Sequence, residues 1–313
     1  MRRLLSVASA LFAVMPSPAL AHGVGPIESG DLWTHWSLDP LVLAPLLIAC
    51  WFYARGLTDL RVSLGRTAPK LPAWRVAAFL GGGAVVAIAL ISPLDELSGT
   101  LLSAHMVQHV LLVAVAPPLL VLGRPEVACF RGLPARWRRG LARSPGARRV
   151  RVVLGAAARP LPATALHGAM LWIWHAPLLF QSAAANPWLH WLEHFCFFGS
   201  ALLFWRGLVV AAGTRAGAAV GSAAALISLV HSGFLAALLT LSPALLYPAS
   251  TRWSSAWGMT PLQDQQLAGA IMWAPMGAIY LAAGLTLAAR LLQAPEGRLA
   301  PSPMVAGLDP NRR

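Results

Sequence analysis

Seven stretches of this chain are apolar for long enough to cross a lipid bilayer, and that constrains its fold more than anything else in the sequence. A hydrocarbon core about 30 Å thick needs about 20 apolar residues in a helix that rises about 1.5 Å per residue. The stretches run roughly over 39–55, 74–93, 99–122, 160–181, 188–211, 216–246 and 263–291, the first being the shortest and interrupted by Pro45. Within a bilayer a helix satisfies its backbone polar groups inside one segment. The expected fold is therefore all-α, a polytopic membrane helix bundle with seven transmembrane helices. Only 11% of the residues are charged, against roughly 25% in an ordinary soluble protein. That argues against a soluble enzyme, and the same apolar content argues against a disordered or collagen-like chain.

The charge that does exist is one-sided: Lys and Arg number 24 against 11 Asp and Glu, a formal net charge of +13. In a soluble protein this excess suggests nucleic acid. Its placement gives a different reading. The segments that follow the first, third, fifth and seventh stretches hold 21 of the basic residues, ten of them between Arg124 and Arg159. The opposite side carries Arg252 together with Glu28, Asp31, Asp39, Asp95, Glu96 and Asp264. By the positive-inside rule the arginine side is cytoplasmic and the amino terminus is outside, with no nucleic-acid partner implied. Tryptophans such as Trp33, Trp36, Trp74, Trp188 and Trp253 lie near the proposed boundaries, as interfacial belts do.

Residues 1–21 read as a secretory signal peptide: Arg2 and Arg3, an apolar run from Leu4 to Val14, then Ala19-Leu20-Ala21 as a small-x-small cleavage site. An uncleaved anchor is the alternative. Cleavage would make His22 the first residue, able to chelate Cu(II) through its amine and imidazole, with His35 on the same side. The expected organisation is then signal peptide 1–21, periplasmic segment 22–38, membrane domain 39–292 and cytoplasmic tail 293–313, in a bacterial inner membrane. Within it the basic segment 124–159 reads as a plain solvated loop, with an interfacial helix on anionic membrane lipid as the alternative. Cys50, Cys129 and Cys196 form no CxxC pair and read as small buried apolar residues.

The informative residues are the polar ones inside apolar helices, where ionisable groups are costly and face the bundle interior or a function. The third stretch carries His105-Met106-Val107-Gln108-His109 and the fifth His190-Trp191-Leu192-Glu193-His194. Each places two imidazoles four residues apart on one helix face. His175, in Trp172-Ile173-Trp174-His175, falls at a comparable depth, so five histidines gather on three helices toward the outer side. The seventh stretch offers Met272 and Met276, again four apart and somewhat deeper. Imidazole suits copper, zinc and iron, whereas thioether sulfur selects Cu(I). The candidate site is a periplasm-facing copper centre, with Cu(I) favoured. Taken singly, His167 and His231 read as hydrogen-bonded packing residues and the two methionines as core filler. Glu193 reads either as a group orienting a histidine or as a headgroup-level carboxylate.

Three other functions compete. A haem-binding electron carrier needs only two facing histidines, but no CxxCH is present. His190-x-x-Glu193-His194 formally matches the H-x-x-E-H zinc protease signature, with Asp264 as the only outside candidate for a further ligand. A copper permease would use His231 and His167 along its path.

Several segments together resemble a known family. They are Ser92-Pro93-Leu94-Asp95, His105-Met106-Val107-Gln108-His109 running on to Ala116-Pro117-Pro118-Leu119, Trp172-Ile173-Trp174-His175, Pro187-Trp188-Leu189-His190 with Glu193-His194, and Asp264-Gln265-Gln266-Leu267-Ala268-Gly269 through Met272-Trp273. The resemblance, over roughly residues 35–292, is to the multi-spanning CtaG-type cytochrome c oxidase assembly factors associated with caa-type oxidases. It implies a non-catalytic role in maturing a haem-copper oxidase, with oxidase subunits as partners and copper as the metal carried. It also implies His105, His109, His175, His190 and His194 as candidate ligands, and Asp95 and Asp264 as outer-surface positions without an assigned role.

Overall fold

The computed structural model describes residues 30–63 and 71–293, and the regular elements among them are all helical. The signal peptide, His22 and the tail beyond residue 293 lie outside the described residues. Six helices are long and apolar enough to cross a membrane: Pro40–Leu60, Ala73–Leu90, Leu102–Leu122, Pro187–Ala211, Arg215–Leu241 and Pro261–Leu292. They fit a multi-pass membrane protein. In chain order the elements are α1 (Pro40–Ser63), α2 (Ala73–Leu90), the short α3 (Pro93–Ser98), α4 (Leu102–Val110) and α5 (Ala116–Leu122), then α6 (Pro125–Gly132), α7 (Ala135–Arg143) and α8 (Pro145–Ala157). They continue with α9 (Pro160–Trp174), α10 (Pro177–Ala185), α11 (Pro187–Ala211), α12 (Arg215–Leu241) and α13 (Pro261–Gln293).

The fourth apolar stretch departs from expectation. It is two helices, α9 and α10, rather than one over 160–181. A proline disfavours the α conformation in the residue before it, and ahead of Pro177 the backbone of Ala176 is extended (φ −62°, ψ 129°). The 15 residues of α9 reach only about 22 Å at the helical rise, so six rather than seven full-length spans stand among the described residues. The sixth stretch also stops early, at Leu241 rather than 246, because Pro243 forces Ser242 out of the helix (φ −60°, ψ 124°).

The segment 124–159 is not the plain loop expected. It folds into α6, α7 and α8, each started by a proline: Pro125 and Pro145 stand in the first turns of α6 and α8, and Pro134 precedes α7. Ser144 caps α8 by accepting the Ala147 N–H. Apolar residues at helical spacing leave Trp137 and Leu141 on one face of α7 and Val150, Val153 and Leu154 on one face of α8, all exposed. α6 packs along α1, where Gly56 and Gly132 let the two backbones touch; a Cβ on either would collide with a carbonyl of the other helix. Arg138 and Arg131 hold the carboxylate of Asp59 at 3.2 and 3.8 Å beside this crossing.

Between α4 and α5, residues Leu111–Val115 form a π-helical turn. Such a turn disturbs the regular ladder, and the Val113 carbonyl accepts the indole N–H of Trp205 at 2.9 Å. The main apolar core joins α4, α9, α11, α12 and α13 through Met106, Leu171, Phe197, Phe204, Leu235 and Tyr280. α12 and α13 pack along most of their lengths. Large apolar side chains such as Leu47, Phe195, Val230 and Leu285 remain on the outside, as lipid-facing residues do.

Candidate functional site

The amino-terminal end of α4 leaves backbone N–H groups without helical partners, and α4 has no capping side chain of its own. The cap comes from α13. Asp264 accepts the Leu102 N–H on Oδ2 and the Ser103 N–H on Oδ1, each at 2.9 Å, and Ser254 donates to the same carboxylate at 2.8 Å. The neighbouring Gln265 pins another segment: its Oε1 accepts the N–H groups of Leu246 and Tyr247, and its Nε2 donates to the Ala244 carbonyl. Tyr247 in turn donates to the backbone carbonyl of His175. Burial pushes the Tyr247 phenol above its ordinary range, with the charge of Glu193 acting in the same direction, so it stays a donor. Two adjacent residues of α13 therefore position both the His105 helix and the His175 turn.

Held this way, the five histidines meet. His105 and His109 lie one turn apart on α4 with ring centroids 4.2 Å apart, as do His190 and His194 on α11. Across the helices, His105 stacks on His190 at 5.2 Å, His109 meets His194 edge-on at 5.4 Å, and His175 lies 6.1 Å from His109. Ring nitrogens of His105, His109 and His194 lie within 4.8 Å of one another, and so do those of His105 and His190 with a carboxylate oxygen of Glu193. Phe180, brought in by α10, and Phe197 close the apolar wall against the imidazoles.

The bonding of these groups points outward from the protein's own network. His175 Nδ1 lies 2.8 Å from the Leu171 carbonyl, an acceptor only, so Nδ1 carries the hydrogen. Its Nε2 is buried and makes no hydrogen bond among the described residues. The same holds for both ring nitrogens of His109 and both carboxylate oxygens of Glu193, whose Oε1 lies 4.0 Å from His109 Nε2. Buried polar atoms without partners are expensive, and a native structure that carries several calls for an explanation such as an ion. Imidazole nitrogens and a carboxylate are donors that transition metals accept.

Residues 51–294 match the cytochrome c oxidase caa3 assembly factors. The chain belongs to that family. Similar proteins include uncharacterised proteins of Mycobacterium bovis and Mycobacterium tuberculosis, each 29% identical over 253 residues, covering 77% of this chain. One of Mycobacterium leprae is 25% identical over 251 residues, with the same coverage. The chain spans 37% of the length of these curated relatives. No solved structure matches it.

Within the chain, several residues have roles that the sequence left open. Asp264, read as a surface position, is fully buried and caps α4. Asp95 accepts a hydrogen bond from Gln108 Nε2 at 2.7 Å, which fastens α3 to the histidine helix. Glu193 is no headgroup carboxylate; it is 1% exposed and sits among the histidines. His167 is a saturated packing residue, bonded through Nε2 to Tyr280 Oη at 2.8 Å and through Nδ1 to Ser200 Oγ at 3.2 Å. His231 lies against Gly168, half-buried. Met272 and Met276 are both buried in the main apolar core.

Proposed function

We propose that this chain assists assembly of a caa3-type cytochrome c oxidase by holding copper in its five-histidine cluster and passing it to the oxidase's copper centre. Copper is cargo, and the role is non-catalytic. The observation that carries the reading is the convergence of His105, His109, His175, His190 and His194 from three parts of the chain onto one buried spot. Imidazole is a ligand for both copper oxidation states, and Met272 and Met276 add soft sulfur that favours Cu(I). The partners are oxidase subunits and membrane lipid.

The arrangement in the membrane follows from charge. The bundle crosses seven times, with α9 and α10 as a broken fourth span and the amino terminus outside. The arginine-rich end is cytoplasmic, and the histidine cluster faces the periplasm across the inner membrane. α7 and α8 lie on anionic lipid: their apolar faces are unburied, and no Asp or Glu occurs between Glu126 and Glu193.

The test is copper analysis of the purified protein under reducing conditions, comparing wild type with His105→Ala/His109→Ala. Loss of copper in the double variant is expected, and unchanged copper sinks the site. A deletion strain that still makes fully active caa3-type oxidase sinks the role.

A further inference from the structure

We propose that the cluster contains two metal positions in series that share His105, the first opening onto a carboxylate-lined vestibule. This rests on the reading of the cluster as a metal site. The vestibule position is formed by His190, Glu193 and His105, and the inner position by His105, His109 and His194. Within each group one ligand atom per residue lies within 4.8 Å of the others. A metal with bonds of about 2.0–2.2 Å to nitrogen and oxygen is reached from that spacing by small side-chain adjustments.

Two features make these distinct positions rather than one site with spare ligands. The first is donor chemistry. Glu193 gives the vestibule position a negative charge and a hard oxygen, whereas the inner position is all imidazole, which suits borderline ions such as Cu and Zn. An imidazole carries nitrogens on two sides of its ring, so His105 can serve a position on either side, its remaining N–H proton passing to solvent as the second ion binds. The second is access. His190 of the first position, with His194 of the inner one beside it, lines a cavity of about 230 Å³ whose wall also carries Asp39, Asp95 and Glu96 and, among the described residues, no Arg or Lys. Exposure is greatest at His190, which is half-buried, and is 7% or less at His105, Glu193, His109 and His194. Glu193 stands where the positions meet, grouped with His190 and His105 yet 4.0 Å from His109. Its carboxylate oxygens take no hydrogen bond among the described residues. A cation drawn in by the acidic mouth thus meets donors of falling charge and rising nitrogen content, an order suited to passing an ion inward. The ligand class is a first-row transition-metal cation of borderline character.

Titration of the purified full-length protein with Cu(II) alone, against a chromophoric chelator, tests this. Wild type is expected to bind two ions per chain. Glu193→Gln should bind one and keep the all-imidazole position, and His109→Ala should bind one by losing it. Glu96→Gln should keep two ions but fill more slowly by several-fold at low salt, the difference vanishing as salt screens the vestibule. The thermal midpoint of metal-free Glu193→Gln reports whether a lost ion reflects misfolding, and Glu193→Asp should restore the second ion. One ion in wild type with Glu193→Gln unchanged overturns the two-position arrangement. Two ions in Glu193→Gln overturn the role of Glu193, and equal filling rates in Glu96→Gln overturn the vestibule. No ion in wild type removes the underlying reading as well.

Discussion

The hydroxyl of Tyr247 reaches across 72 residues of chain to donate a 2.6 Å hydrogen bond to the backbone carbonyl of His175. That carbonyl is at the break between α9 and α10, where the helix has ended and its last carbonyls lack helical partners. The phenol satisfies one of them, and its ring packs on Phe180 at 4.4 Å.

Tyr247→Phe keeps the ring and removes the bond. The variant should fold, lose about 1–2 kcal/mol for the buried acceptor left unsatisfied, and hold copper less tightly because His175 is no longer fixed. A thermal scan paired with a copper competition titration checks both; an unchanged midpoint would show that the bond adds nothing to the turn.

Asp264→Ala should be strongly destabilising. It removes the acceptor for two helix N–H groups of α4 and strands Ser254. Loss of a capping side chain costs roughly 0.5–2 kcal/mol, and burial places this one at the upper end. Asp264→Asn, which keeps one acceptor oxygen, should recover part of it in the same unfolding measurement.

His167 and His109 should separate packing from the proposed copper binding. His167→Ala leaves Tyr280 and Ser200 without their shared partner deep in the core, so it should destabilise the protein by about 2–4 kcal/mol with copper content unaltered. His109→Ala should do the reverse, lowering copper content with a small effect on stability, since its ring nitrogens make no hydrogen bond among the described residues. Copper per chain and thermal midpoint, measured on both variants, give opposite patterns; matching patterns would refute the assignment.

Trp137 reports on the arginine-rich helices. In nanodiscs, the part of the fluorescence lost in Trp137→Phe should be quenched by brominated anionic phospholipid and less by its zwitterionic counterpart. Replacing Arg139 and Arg143 with Gln should reduce the difference. Equal quenching by both lipids would mean that charge does not draw α7 to the surface.

Much of this was legible from residue spacing. The paired histidines of α4 and α11 follow from four-residue spacing on a 3.6-residue helix, and six of the apolar stretches contain helices long enough to cross. Pro177 was visible too, but the apolar run continues on both sides of it, so hydropathy alone does not register the break. Glu193 was ambiguous because depth depends on where α11 begins. Asn186 caps that helix by accepting the N–H groups of Trp188 and Leu189, which sets the carboxylate nearly two turns inside. The role of Asp264 was hidden for a different reason. The α4 N–H groups it caps are 161 and 162 residues away, and no local pattern encodes such a contact. The helices of segment 124–159 did leave a trace in the spacing of Trp137 with Leu141 and of Val150 with Leu154, outweighed by the density of arginine.

The π-helical turn after His109 lets one continuous rod serve two unrelated masters. Above it, α4 presents His105 and His109 to the other imidazoles; below it, the chain must deliver the Gly123 carbonyl to the hydroxyl of Tyr53 at 3.0 Å. Each residue in a helix advances the direction of its side chain by about 100°. Deleting any one residue from Leu111–Val115 would therefore give a locally more regular helix and a worse protein, its lower half turned away from α1. The irregularity acts as a phase adjuster, and the natural length of that segment is the setting that both ends require.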